Sequence, residues 1–221
     1  MTNPPSFFRV RHRRLWGDYG QVLIAGMAAR RDDRSTPLSL ERTGPFAPAI
    51  SLPGRRNIVV TDDCKQRIEV SCPESEFRSV VKERIVFSAW EEWDWDDERP
   101  EEMPEGGEPE NYVMGKSHSD DAASEMGAMW ELLVAFGAHV DTDEKRKAWD
   151  YDIRIHLETW NGLHIFLASK HGSTKGTWLI ASGDGRAFLE ANDTEGFLAF
   201  EPCLTKQPGI CTKPQEIHDG S

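Results

Sequence analysis

Apolar and polar positions alternate most cleanly over residues 151–160. There Ile153, Ile155 and Leu157 fall on one face and Arg154, His156 and Glu158 on the other. Asn161-Gly162 follows, then a second apolar stretch at 163–168, and this arrangement predicts a β-hairpin. Strands are also predicted over 7–14, 21–28, 58–60, 77–81, 83–87, 178–181 and 196–200. The run at 21–28, QVLIAGMA, is continuously apolar and reads as a buried strand. Thr61 and Ser182 each precede an acidic residue and an amphipathic stretch, so they predict N-capped helices through about Val70 and Ala191. Ser117 or Ser119 opens a third helical stretch, in which Met126, Trp130 and Leu133 recur at helical spacing and Gly127 weakens the helix. Residues 42–57, RTGPFAPAISLPGRRN, read as an ordered Pro- and Gly-rich loop that lays Phe46, Ile50 and Leu52 on the core. Trp16-Gly-Asp-Tyr-Gly reads as a turn, residues 30–39 as a loop and 139–148, HVDTDEKRKA, as a charged connection.

Two of these units echo each other. IVVTDDCKQRIE, starting at Ile58, and LIASGDGRAFLE, starting at Leu179, share a strand, a hydroxyl cap, an acidic first turn, a basic residue, an apolar residue and a glutamate. Thr61 matches Ser182, Asp63 matches Asp184, Ile68 matches Leu189 and Glu69 matches Glu190. Any strand–cap–helix–strand unit drifts toward this pattern, so convergence is the competing account. The pattern as a whole predicts an α+β fold with mixed and antiparallel sheets and a few helices, built as two related lobes. The expected division is an N-terminal lobe over 1–117 with an acidic loop at 90–110, a C-terminal lobe over 118–205, and a flexible tail over 206–221.

Charge changes this picture at one place. The chain of 221 residues carries a formal net charge of −12. Residues 91–110 hold eleven acidic residues and one basic residue, Arg99, so nearly all of the net charge is local. Trp90, Trp93 and Trp95 open this stretch, and Pro100, Pro104, Gly106, Gly107 and Pro109 forbid a continuous helix or central strand. A block of like charge is ordinarily a solvated loop. The tryptophans favour a second reading, a docking surface in which charge steers a cationic partner and aromatic rings supply contact energy. Trp93 and Trp95 are then the anchors, and Asp94, Asp96, Asp97, Glu98, Glu101 and Glu102 the steering charges.

Catalytic and metal signatures are sparse. Cys64, Cys72, Cys203 and Cys211 lack C-x-x-C spacing and read as reduced structural thiols, as expected of a cytoplasmic protein. Seven histidines include no H-E-x-x-H, and there is no G-x-S-x-G, phosphate loop or dinucleotide fingerprint. His156, Glu158 and His164 flank the predicted hairpin and form the one candidate acid–base cluster, with plain surface residues as the competing account. Lys170 to Gly176 reads as a strand connection. The acidic run lacks the glycine and spacing of a calcium loop. No cofactor, metal or catalytic residue is expected. A sequence pI of about 5.1 argues against nucleic acid as partner, and no apolar run is long enough to span a membrane.

Several phrases together resemble a group of bacterial proteins: RTGPFAPAISLPG, AWEEWDWDDERPEEMPEGGEPENYVMGKSH and the phrase ending MWELL. The two echoing units are similar to those of immunity proteins encoded beside polymorphic toxins. The resemblance spans about residues 40–202 and carries no catalytic motif, so no functional residue transfers with it. The zinc-ribbon-bearing immunity families do not fit, because the double C-x-x-C is missing. What the resemblance implies is a non-catalytic cytoplasmic protein that neutralises a cognate basic toxin domain by direct binding. The alternatives are an enzyme of unrecognised class, hydrolytic if at all, or a regulatory interaction module.

Overall fold

The computed structural model describes residues 5–14, 18–30, 36–54, 56–89, 109–144, 151–172 and 176–206. In chain order the elements are β1 (Phe7–His12), α1 (Asp18–Ala25), β2 (Met27–Ala29), β3 (Ser39–Gly44), β4 (Ile50–Ser51), β5 (Ile58–Thr61), α2 (Asp62–Ser71), β6 (Phe77–Ser79) and β7 (Val81–Phe87). Then come α3 (Pro109–Met114), α4 (Asp120–Glu125), β8 (Met129–Leu132), β9 (Phe136–Glu144), β10 (Tyr151–His156), β11 (Ile165–Ser169), β12 (Thr177–Ser182), α5 (Gly183–Asn192) and β13 (Leu198–Lys206). The fold is α+β with mixed and antiparallel sheets, as the pattern predicts.

The second half shows the building plan most fully. β9 and β10 form an antiparallel hairpin, β11 pairs antiparallel with β12, and α5 carries the chain from β12 to β13. A helical crossover of this kind lays its two strands parallel. Here they lie one strand apart, and β1 fills the gap antiparallel to both. β10 runs parallel to β13 and β9 parallel to β11, which closes a six-stranded barrel in the order β1-β12-β11-β9-β10-β13.

The first half repeats this plan in all but one of its pairings. β2–β3 is the hairpin, β4–β5 the antiparallel pair, α2 the crossover and β6–β7 the return strand, with β8 filling the gap between β5 and β6. Thr61 faces Met129 as Ser182 faces Phe7, and Phe77 faces Leu132 as Phe200 faces Val10. Ser39 faces Val81 as Arg154 faces Leu204, Ala28 faces Leu40 as Val140 faces Ile155, and Ile50 faces Val60 as Ile165 faces Ala181. Side chains follow suit. Lys65 lies over Phe77 and Trp130, and Arg186 lies over Phe200 and Phe8. The i,i+4 pairs Lys65–Glu69 and Arg186–Glu190 also correspond. The sequence echo is thus one part of an internal duplication. Its two units have exchanged their first strands: β1 sits with the second unit and β8 with the first. One core runs through both, with Val10, Ile58, Ile68, Leu132, Leu179, Leu189 and Leu198 in a single cluster.

The halves differ where the barrel closes. In the second, the Leu167 amide donates to the Ala135 carbonyl at 2.8 Å, joining β11 to β9. The corresponding join between β4 and β2 is missing, because β4 stops at Ser51 before Leu52-Pro53-Gly54. Side chains take over its polar groups. The Leu52 amide donates to His12 Nε2 at 2.9 Å, and Thr43 Oγ1 donates to the Leu23 carbonyl at 3.0 Å. Arg42, fully buried, donates to the Ile24 carbonyl at 2.8 Å and to Ser51 Oγ at 3.2 Å. Its cation thereby rests on a carbonyl of the last turn of α1, where the helix dipole is negative.

Several stretches depart from the sequence expectation, among them the predicted turn at 16–20, of which Asp18, Tyr19 and Gly20 open α1. The apolar run at 21–28 is the end of α1 followed by β2, because a continuous apolar run fits a buried helix as well as a strand. The helix opened by Ser119 stops at Glu125: Gly127 turns the chain at φ +71°, and residues 129–132 are drawn into strand pairing by β5 and β6. The charged connection at 139–148 is mostly β9, with Ala138 and Val140 facing the barrel interior. The predicted hairpin does not form. Asn161-Gly162 does turn, with the Leu163 amide on Asn161 Oδ1, but β9 lies between β10 and β11. Within the Pro- and Gly-rich stretch 42–57, β3 and β4 contribute strand, while Ile50 and Leu52 are buried and Phe46 packs at the core as expected.

Candidate partner-binding site

The eight residues assigned to partner binding, Trp93, Asp94, Trp95, Asp96, Asp97, Glu98, Glu101 and Glu102, lie outside the described residues, as does the tail from 207. What is described is the base from which their segment springs. The chain leaves β7 after Phe87, where the Ser88 amide donates to the Gly44 carbonyl at 2.8 Å. It returns to the same strand: the Ile85 amide donates to His118 Nδ1 at 3.0 Å, and the Ser119 amide donates to the Ile85 carbonyl at 2.8 Å. The departing limb is therefore held on β3 at Gly44 and the returning limb on β7 at Ile85.

The returning limb is anchored by α3. Tyr112 and Val113 are buried in a cluster with Val22, Leu23, Ile24, Val86 and Phe197. The Arg84 guanidinium donates to the Met114 carbonyl, and Lys116 Nζ lies 3.9 Å over the Tyr112 ring. Lys82 donates to the carbonyls of Ala123 and Gly127 at the C-terminus of α4, and burial lowers its pKa. Two large apolar side chains, Phe87 and Met114, are 60% and 51% exposed at the two limbs. Of the eleven acidic residues, Glu110 is within the described set, in the first turn of α3.

The histidine candidates separate into different neighbourhoods. His156 Nε2 lies 3.0 Å from Asp141 Oδ2, and its Nδ1 lies 3.3 Å from Glu158 Oε1, on the outer face of β9 and β10. Lys206 Nζ donates to Asp141 at 2.8 Å, and this bond, followed by the contact with His156, lowers the Asp141 pKa. His164 belongs elsewhere: its Nδ1 meets Ser182 Oγ at 3.0 Å and lies 3.7 Å from Asp184. This serine, histidine and aspartate do not form a relay. A relay needs one ring nitrogen for each partner, whereas both contacts here fall on Nδ1, and Ser182 Oγ accepts the Gly185 amide as the N-cap of α5.

The described thiols, Cys64, Cys72 and Cys203, are free. Burial pushes Cys64 up to about 11 and Cys203 up to about 12, so neither is a thiolate at neutral pH. No group of three or more metal-ligating side chains converges among the described residues. A wide, open depression on the outer face of α2 is lined by Asp63, Gln66, Arg67 and Val70. Among the described residues no helix is long and apolar enough to cross a membrane.

The fold and this site define a class: a duplicated α+β chain with exchanged first strands, one shared core, and an acidic excursion held at its base. No protein-family model matches the chain, and no curated protein matches it.

Proposed function

We propose that this chain is a non-catalytic binding protein that neutralises a cognate basic toxin domain by covering it with the acidic excursion. The observation that carries the reading is the concentration of eleven carboxylates and three tryptophans in a segment whose departing limb is held at Gly44 and whose returning limb is held at Ile85. The segment falls between the two repeats, and the described strand pairings are made by residues outside it. A segment inserted between scaffold elements and anchored at its base is suited to recognition. Carboxylates in such density mimic the charge of a phosphate backbone, so a cationic active-site cleft is the complementary surface.

The test has two stages. The tagged chain is used to retain partners from its native host at low and then high salt. A retained basic domain is expressed alone and with the chain, and relief of its toxicity supports neutralisation. Changing Asp94, Asp96, Asp97, Glu98, Glu101 and Glu102 to their amides then slows association about tenfold or more at low salt and flattens its salt dependence. Association kinetics that do not change remove the acidic segment from the interface and overturn the reading.

A further inference from the structure

We propose that the exchange of first strands between the two repeats is selected by charge polarity, through Arg9 on β1 and Glu131 on β8. The two strands occupy equivalent slots, and their apolar positions are nearly interchangeable. Phe8 and Trp130 each lie under the cation of the neighbouring helix, Arg186 or Lys65. Phe7 and Met129 are both buried, as are Val10 and Leu132. Hydrophobic burial alone therefore does not decide which strand enters which slot. The position between these apolar residues does.

In the barrel, Arg9 stands directly across from Glu201 on β13, with their side chains 3.6 Å apart, and Arg11 adds a second contact to Glu201 at 2.9 Å. In the first repeat the polarity is reversed. Glu131 stands directly across from Arg78 on β6, receives the Arg30 guanidinium, and accepts from Asn57 Nδ2 at 2.9 Å. Glu131 is 3% exposed; both donors fall on Oε1, while Oε2 is buried without a hydrogen-bond partner among the described residues, so the slot is desolvated and its donors favour a carboxylate.

Returning each strand to its own repeat inverts both pairings. Arg9 would enter the buried slot facing Arg78 and Arg30, and Glu131 would face Glu201. Like charges directly opposed across a ladder are unfavourable, and a buried charge left without its counterion is more so. One hydrogen bond works in the same direction: Trp130 Nε1 donates to Asp62 Oδ1 at 2.8 Å, and Phe8 has no donor to replace it. The repeats thus encode complementary slots, and only the exchanged arrangement satisfies both.

The test exchanges the charges within the full chain. R9E/E131R lowers the thermal midpoint by on the order of 10 °C or displaces the chain from the elution position of the unsubstituted protein in size-exclusion chromatography. F8W/W130F, which exchanges the neighbouring apolar pair without moving charge, has less than about a third of that effect. Adding R78E and E201R to R9E/E131R restores opposite charges across both ladders and recovers elution position and midpoint in part. The proposal is overturned if the charge exchange costs no more than the apolar one. It is equally overturned if the four-substitution chain shows no recovery, including the case in which R9E/E131R does not fold at all.

Discussion

At the scale of single residues, the most informative group is the set that replaces a missing strand ladder. His12 and Thr43 satisfy the backbone groups of Leu52 and Leu23, which correspond in the other repeat to the bonded pair Leu167 and Ala135, and Arg42 satisfies the neighbouring Ile24 carbonyl. Each buried backbone group needs such a partner. His12 does this only as a neutral acceptor, and burial, then the nearby Arg42 charge, lowers its pKa from 6.5 to about 4. Burial also lowers Arg42 to about 10, which leaves it charged at neutral pH. Stability above pH 6.5 is untouched by His12, because it is neutral in both folded and unfolded chains. Below 6.5 the unfolded chain takes up the proton first, so stability falls as pH drops toward 4 by about 3 kcal/mol. Denaturant unfolding at intervals from pH 7 to pH 4 measures this, and His12→Gln, which keeps an acceptor but does not titrate, flattens that part of the slope. None of this was legible in the sequence. An arginine, a threonine and a histidine in Pro- and Gly-rich or strand-like surroundings carry no mark of the ladder they replace. By contrast Thr61 and Ser182 were legible, because an N-cap is a local device with a local signature.

At the scale of elements, α2 and α5 show how equivalent helices settle differently. Cys64 occupies in α2 the position that Gly185 occupies in α5. A Cβ at Gly185 would run into the His164 carbonyl oxygen, whereas Cys64 is buried without conflict. Gly185→Ala is therefore expected to destabilise the fold by about 3 kcal/mol, while Cys64→Ala, a modest trimming, costs about 1 kcal/mol. Thermal or denaturant unfolding of the two variants checks the contrast. Both helices were legible to within a residue or so, since cap, acidic first turn and apolar face agree. The elements that were misread share one physical feature: long-range pairing overrode the local pattern. Residues 129–132 have helical spacing but are claimed by β5 and β6, and 139–144 are charged yet serve as a barrel strand because Ala138 and Val140 alternate inward. Asn161-Gly162 carries a strong local hairpin signal, and the sequence gives no warning that β9 will lie between the strands it joins.

At the scale of the whole molecule, the α+β class and the kinship of the two units were readable, and the strand exchange was not. Kinship appears as matched residues, whereas exchange depends on which of two similar slots each strand enters. That exchange also fixes where the acidic excursion starts and ends. The excursion leaves from β7 in the β2-β3-β7 sheet and the chain re-enters through β8 in the β4-β5-β8-β6 sheet, so both of its limbs belong to one half. A further property follows for the two pieces on either side of the excursion. Each contributes a central strand to the other, β1 into the barrel and β8 into the first repeat's sheet, so the pieces are interlocked like two links. A single cut at a protease site engineered into residues 90–108 should leave them bound in one particle of unchanged mass on size-exclusion chromatography, separating only in denaturant. Continuity of the chain through its most acidic stretch would then be dispensable for holding the molecule together.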